Sequence, residues 1–426
     1  MTIAIFIVIL LAFYLAWNLG ANDVANAMGT SVGSGAITLK GALIIAGILE
    51  FSGAVLFGNE VSQTLATNLS NPVLFADLPQ VFATGMFSVL LASALWLQIA
   101  TSQGKPVSSS HAVVGAIAGF CVTAAGFGAI KWSSIGMITL GWIITPVISA
   151  AIAALFYSQI KRWILDQPQQ LRQLNEWIPW LSALLLGVFG IIVLPKATQP
   201  LANFLIEQVG LKIPNHDVPL FVGMVAAVGL TVYSWGEIRR DWEISGPRVE
   251  NNAQFPNSVE RIFGRFQLLS ACFVAFAHGS NDVGNAIAPL AAITYINRTG
   301  KVPVYDLDIP LWILVVGGAG IVFGLAVWGK KVLKTIGESI ITLQPSSGFC
   351  AEIATATTVI LASRLGLPVS TSHALVGGVV GIGIIKDIKS LQFKTLQGIA
   401  AAWIITLPVS AVLSAVIFSL VRFVLR

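Results

Sequence analysis

Charge is what this sequence has least of. Only 10% of its 426 residues are Asp, Glu, Lys or Arg, while 56% are hydrophobic and the mean hydropathy is +0.84. A soluble domain carries about 25% charged residues, so an integral membrane protein is expected. The net charge of +5 is small for the length and comes from loops, which argues against nucleic acid as a partner. Cysteine is scarce too. Cys121, Cys272 and Cys350 lie in separate apolar runs without metal-ligand spacing and read as small core residues. No basic stretch precedes the first apolar run, which starts at Thr2, and no small-residue cleavage pattern precedes residue 20, so the run reads as a retained span. The sequence has no GxxxxGKS or GxxxxGKT, which disfavours ATP drive. It shows no nucleophile elbow and no phosphate-cleaving constellation either. An enzyme is not expected, nor a cofactor or a transition metal.

Apolar segments are abundant instead. They fall at about 2–19, 38–58, 78–101, 109–127, 134–158, 178–195, 217–236, 264–278, 284–296, 310–329, 346–363, 370–385 and 395–423. A full helical span needs about 20 residues. The shorter segments flank polar motifs, and interrupted segments at matching places in two halves point to a transporter's binding site.

Two halves do match. Gly20-Ala-Asn-Asp-Val-Ala-Asn-Ala27 returns as Gly279-Ser-Asn-Asp-Val-Gly-Asn-Ala286, an offset of 259. PVSSSHAVVGAIAG at 106–119 returns as PVSTSHALVGGVVG at 368–381, an offset of 262 with 9 of 14 positions identical. GAVLFG at 53–58 against GLAVWG at 324–329 is a weaker third pairing. Charge counting sets the topology. Loops 159–176 and 237–263, with its flank, hold eight basic residues, and the loop between them, 196–216, holds only Lys196 and Lys212. Two single spans separate the basic loops, which puts both in the cytoplasm. An odd number of crossings precedes residue 159, so the N-terminus is expected outside and the second repeat inverted relative to the first. The expected organisation is repeat 1 over 1–158 with a hairpin at about 78–127 and connecting spans over 159–236. A solvated cytoplasmic loop follows at 237–263, then repeat 2 over 264–426 with a hairpin at about 346–385.

Each Asn-Asp motif follows an almost wholly apolar run, where an ionisable residue is a functional-site hypothesis by default. Gly20 and Gly279 let a helix break or start there. Asp and Asn oxygens are hard ligands suited to a small cation, which assigns a cation-coupling role to Asn22, Asp23, Asn26, Asn281, Asp282 and Asn285. In the second motif a Pro-led hydroxyl cluster, Ser108–Ser110 and Ser370–Ser372, sits where a Gly-rich helix begins. A helix N-terminus favours anions, and hydroxyls add donors without adding charge. Two such tips meeting would cradle a tetrahedral oxyanion. His111 and His373 read as local hydrogen-bonders, and His278 as either a proton carrier or a structural residue. Glu50 and Glu352 lie within apolar runs and have no acidic mate in the other repeat: Glu50 falls opposite Ile321 and Glu352 opposite Leu90. Each reads as a second cation ligand, a proton site or a gate, with a solvated helix end the alternative for Glu50.

GANDVANAMGTSVGSGAITL at 20–39, FAHGSNDVGNAIAPL at 276–290 and the two PVS(S/T)SHA segments resemble the inorganic phosphate transporter family of sodium- or proton-coupled symporters. The resemblance covers both halves. It implies an all-α polytopic membrane protein with an inverted-topology repeat, broken helices and two re-entrant helical hairpins, often a homodimer in the plasma or inner membrane. It implies that Asp23 and Asp282 pair at the phosphate and cation sites and that Ser109, Ser110, Thr371 and Ser372 are hairpin-tip ligands. Asn22, Asn26, Asn281 and Asn285 would be cation ligands, and Glu50 and Glu352 match acids required for transport. The GTSVGSG run resembles the sodium-coupled branch. The expected function is symport of inorganic phosphate with sodium into the cell, with N- and C-termini outside. A proton-coupled phosphate or sulfate permease of the same fold is the nearest alternative, and an anion channel a remoter one.

Overall fold

The computed structural model describes residues 2–105, 107–209, 214, 217–245, 258–304, 307–336 and 341–424. Within these the chain is helical apart from turns and one isolated bridge between Ser70 and Ile130. The first half holds α1 (Thr2–Gly33), α2 (Leu39–Phe57), the short α3 (Asn59–Gln63), α4 (Pro79–Ser102), α5 (Ser109–Ala125) and α6 (Trp132–Ile160). The connecting region follows as α7 (Gln170–Ala197), α8 (Gln199–Asn203) and α9 (Asp217–Ser245). The second half holds α10 (Ser258–Thr299), α11 (Leu311–Ile336), α12 (Pro345–Arg364), α13 (Thr371–Lys386) and α14 (Phe393–Val424). Eight of these described helices are long and apolar enough to cross a membrane.

α4 packs on α5 and α12 on α13 as helical hairpins over residues 79–125 and 345–386. Local chemistry dictates their shape. Pro79 and Pro345 begin the first arms, where a missing N–H is harmless. Gly104 (φ 66°) and Gly366 (φ 65°), 262 positions apart, stop those arms in the left-handed region that glycine adopts without a Cβ clash. Ser108 and Ser370 then cap the second arms, accepting from the N–H groups of His111 and His373. Pro106, between Gly104 and Ser108, lies outside the described residues.

The Asn-Asp motifs do not break their helices, contrary to the expectation of broken helices. α1 runs through residues 20–27 without interruption, and α10 continues through 279–286, joining the two segments expected at 264–278 and 284–296. Gly20 and Gly279 serve close packing instead. A Cβ on Gly20 would collide with the Ile321 carbonyl of α11, and one on Gly279 with the Glu50 carbonyl of α2. With 42 residues α10 is about 63 Å long, twice the roughly 30 Å hydrocarbon layer.

The repeats interleave rather than forming two lobes. α1 packs on α11 and α10 on α2; α5 packs on α14 and α13 on α6. Close approaches repeat in matched pairs: Gly53 against the Phe276 carbonyl and Gly324 against that of Trp17, Gly119 against Ala411 and Gly381 against Ala150. The weak pairing of GAVLFG with GLAVWG therefore has a structural counterpart. The outer surface is as apolar as the core, and a set of polar side chains is buried within. Asn18, Asn22, Asp23, Glu50, His278 and Glu352 are buried, while Ile143 and Val147 of α6, Phe221 and Val228 of α9, and Ile404 and Val412 of α14 are exposed. Such an apolar outer surface suits a hydrocarbon solvent.

The inter-repeat stretch 237–263 is shorter as a loop than expected, because α9 extends to Ser245 and α10 starts at Ser258. Residues 246–257, with Pro247, Arg248, Glu250 and Pro256, lie outside the described residues, as does Lys212. Glu260 is not solvated. It is buried and accepts from the Ser346 N–H (2.9 Å) and Oγ (2.7 Å), capping the start of α12.

Candidate functional site

The two hairpin tips meet beside the two Asn-Asp motifs, and each motif reaches across to the other repeat's tip. Asn26 Nδ2 donates to Asp23 Oδ1 and to Ser372 Oγ, both at 2.9 Å. Asn285 Nδ2 donates to Ser110 Oγ at 3.3 Å and more weakly to Ser109 Oγ at 3.5 Å. Asn281 Nδ2 donates to Asp282 Oδ1 and to the Val369 carbonyl, both at 2.7 Å. Thr371 Oγ1 lies 3.5 Å from Asp282 Oδ2, and Ser110 Oγ donates to the Val369 carbonyl at 2.9 Å. Asn22 points to a residue not singled out from sequence, donating to Thr101 Oγ1 at 2.7 Å. Asn22, Asp23, Asn26, Ser109, Ser110, Asn281, Asp282, Asn285, Thr371 and Ser372 are all buried. Residues expected to act together from two distant stretches thus form one centre.

Ligand atoms of Asp23, Asp282 and His278 lie within 4.8 Å of one another. His278 links this pair to Glu50, with Nε2 2.8 Å from Asp282 Oδ2 and Nδ1 3.2 Å from Glu50 Oε1. Asp23 Oδ2, Asn22 Oδ1, Asn285 Oδ1 and Glu50 Oε2 are buried without a protein hydrogen-bond donor, while Glu50 Oε1 faces His278 Nδ1. Glu50 is fully buried, so the solvated-helix-end alternative is excluded. Buried polar groups are ordinarily paired, so these oxygens leave room for a cation or for ordered water. Hard oxygen ligands suit a sodium-type cation; the imidazole of His278 does not, and its place is between the acids.

Glu352 marks a second polar cluster, about 10 Å along α1 from Asp23 by helical rise. Its Oε1 accepts from Thr30 Oγ1 and Ser31 Oγ, both at 2.6 Å, and from Gln267 Nε2 at 3.1 Å. Its Oε2 accepts from Ser270 Oγ at 2.6 Å. Sequence reading did not single out these four donors. Their signal was periodicity: Thr30 follows Asn26 by four residues, and Gln267 and Ser270 are three apart on one face of α10.

His111 and His373 are hydrogen-bonded, but not locally. His111 Nδ1 donates to the Trp403 carbonyl at 3.1 Å and His373 Nδ1 to that of Trp142 at 3.0 Å, each across the repeats. Trp-Ile-Ile-Thr at 142–145 and again at 403–406 is a further repeated element that carries these contacts. The three cysteines are unpaired; Cys121 and Cys350 are buried and Cys272 partly so.

Comparison with known proteins now bears on this geometry. Residues 19–414 match the phosphate transporter family. A proposed phosphate permease of Haemophilus influenzae is 39% identical over 98% of this chain and 96% of its own length. The chloroplast inorganic phosphate transporter 2-1 of Arabidopsis thaliana is 37% identical, over 96% of this chain and 70% of that protein. Among solved structures, a sodium-dependent phosphate transporter superposes with a TM-score of 0.85 at 34% identity, covering 99% of this chain and 100% of that one. The family is one of carriers and not of enzymes. With relatives this similar from end to end and a matching fold, this integral membrane protein belongs to the phosphate transporter family.

Proposed function

We propose that this chain is a secondary active symporter that brings inorganic phosphate into the cell with sodium. The observation that carries this reading is the cross-bonding of each Asn-Asp motif to the opposite hairpin tip. Phosphate donors and carboxylates would ordinarily be kept apart. Two like charges 4 Å apart repel by about 4 kcal/mol at an effective dielectric of 20, so phosphate beside Asp23 and Asp282 is tolerable only with cations between them. That makes binding of the two cargoes mutual. The solved neighbour's sodium dependence supports sodium as the cation.

In this reading Ser109, Ser110, Thr371 and Ser372, at the starts of α5 and α13, hydrogen-bond the phosphate oxygens, and the helix N-termini favour its charge. Asp23 and Asp282 adjoin both cargoes. Asn22, Asn26, Asn281 and Asn285 complete the sodium shells with side-chain oxygens, and Glu50 joins through His278. Glu352 with Thr30, Ser31, Gln267 and Ser270 holds a further cation on its path. The repeats have inverted topology, with both termini outside and the 237–263 connection cytoplasmic, supported by the distribution of Lys and Arg. The protein works as a homodimer in the plasma or inner membrane.

Uptake of labelled phosphate into proteoliposomes tests the assignment, with an inward sodium gradient, with a proton gradient alone, and with excess sulfate. Sodium-driven accumulation that sulfate does not compete away is expected. The second reading, proton coupling, draws on His278 lying between Glu50 and Asp282; accumulation driven equally by a proton gradient without sodium would establish it instead. Equilibration without accumulation would overturn both in favour of a channel.

A further inference from the structure

α2 and α11 lie side by side at the apolar outer surface, and a groove runs between them. The two helices are antiparallel: a Cβ on Gly329 would meet Leu43, one on Gly47 would meet Val322, and one on Gly318 would meet Phe51. The groove has a volume of about 740 Å³. Small residues leave this space, Gly47 on α2 and Ala319 and Ala326 on α11, and the exposed side chains of Ile44, Ile48 and Phe323 flank it. It runs from Lys40 to Ser52, about 18 Å along α2 by helical rise. That is close to the depth of one leaflet, half of a hydrocarbon layer about 30 Å thick.

The two ends of the groove differ. Ser52 Oγ donates to the Ile48 carbonyl of its own helix at 2.7 Å and needs nothing more. Lys40 is exposed, and among the described residues its ammonium has neither an ion-pair nor a hydrogen-bond partner. Its place also disfavours its sign. Lys40 stands in the first turn of α2, just after the Thr38 cap, where free N–H groups already make a positive end and no acidic residue offsets them. α11 contains no Asp or Glu, and its end beside Lys40 carries Lys330, Lys331 and Lys334 in the sequence. The single acid of the two helices, Glu50, is buried farther along α2 beside His278. Positive charge therefore gathers at one end of an apolar groove with no acid on either helix to balance it there.

We propose that this groove is a site for one anionic phospholipid, with an acyl chain laid between α2 and α11 and the headgroup phosphate on Lys40. The phosphodiester is attracted by the ammonium and by the first N–H groups of α2, and the acyl chain below it meets apolar side chains. A zwitterionic headgroup would bring a further cation to an end that is already positive. The topology under Proposed function puts Lys40 at the cytoplasmic face, where anionic lipids give the leaflet its negative surface potential. The lipid bridges α2, which carries Glu50, and α11, which packs on the Asp23 helix α1. It is a ligand of the outer surface, apart from the buried centre that holds Asp23 and Asp282.

Lipid retention by the purified protein tests the site. The protein in detergent is titrated with phosphatidylglycerol and, separately, with phosphatidylcholine of the same chains, and bound lipid is counted by native mass spectrometry. The parent is expected to retain phosphatidylglycerol in preference to phosphatidylcholine. Lys40→Gln should weaken phosphatidylglycerol binding by about fivefold, the contribution of one lysine beside an anionic lipid surface, and Lys40→Arg should restore it. Ala326→Phe places a ring in the groove and should weaken phosphatidylglycerol binding as well. Lys301→Gln removes an exposed lysine outside the groove and should change nothing. Equal retention of the two lipids by the parent, or undiminished phosphatidylglycerol binding in Lys40→Gln, would overturn the site. A parent dimer that Ala326→Phe dissociates with no loss of lipid would overturn it too, because a second copy would then cover the groove. Every readout is taken without phosphate uptake, so failure of the lipid site and failure of the symport reading are separate results.

Discussion

Asn26 donates to Ser372 across 2.9 Å and 346 residues of chain, tying the Asn-Asp motif of the first repeat to the hydroxyl tip of the second. The same amide donates to Asp23. One side chain thus touches a residue assigned to the cation and another assigned to phosphate.

Removing that amide should therefore disturb both cargoes. Asn26→Ala is expected to raise the KM for phosphate and to weaken the sodium dependence of uptake in the same variant. The measurement is initial uptake over a matrix of sodium and phosphate concentrations. A change confined to one ion would show that the bridge carries no coupling.

The glycines separate packing from conformational freedom. Gly20→Ala and Gly279→Ala force a Cβ into the backbone of α11 and α2, and overpacking of this kind costs about 1–3 kcal/mol. Gly187→Ala and Gly229→Ala lie within α7 and α9 with nothing within 4 Å of the added carbon, and a helical Gly→Ala there gains up to about 1 kcal/mol. Thermal unfolding of the purified protein in detergent should rank the four in that order. Equal melting temperatures would contradict the close approach.

Two buried glutamates should behave differently although both contact α10 or α12. Glu260→Gln loses one acceptor oxygen at the start of α12, worth about 0.5–2 kcal/mol as a helix cap, and should lower stability while leaving the sodium dependence per folded molecule unchanged. Glu352→Gln removes the charge within the Thr30, Ser31, Gln267 and Ser270 shell. If that shell holds a cation, apparent sodium affinity falls by about 10–100-fold, the usual effect of disturbing a metal's surroundings. Unchanged sodium dependence in Glu352→Gln would remove Glu352 from the cation path.

Much of this was legible because the chain says it twice. Duplicated motifs give positions to compare, so spacing pairs Asp23 with Asp282 and Ser109–Ser110 with Thr371–Ser372, and the resemblance supplied the expected roles. Their membrane setting followed from hydropathy. Glu50 and Glu352 were harder, since their repeat mates are Ile321 and Leu90 and duplication gives no signal there. Their neighbours are set by helix packing: Gly279 brings α2 against α10 and so brings Glu50 to His278. The helix-break expectation failed for a related reason. Glycine in an apolar run reads equally well as a hinge or as a place where two backbones touch, and only the partner helix decides between them. His111 and His373 likewise gave no hint that their acceptors lay on Trp403 and Trp142, hundreds of residues away.

The most direct test of a shared cation and anion site is phosphate binding to the purified protein with and without sodium, by calorimetry, for the parent chain and for Asp23→Asn and Asp282→Asn. Linkage requires that an ion which tightens phosphate binding is itself tightened by phosphate. Sodium should markedly strengthen phosphate binding to the parent and lose that effect in both variants. Phosphate that binds the parent equally well without sodium would contradict a joint site.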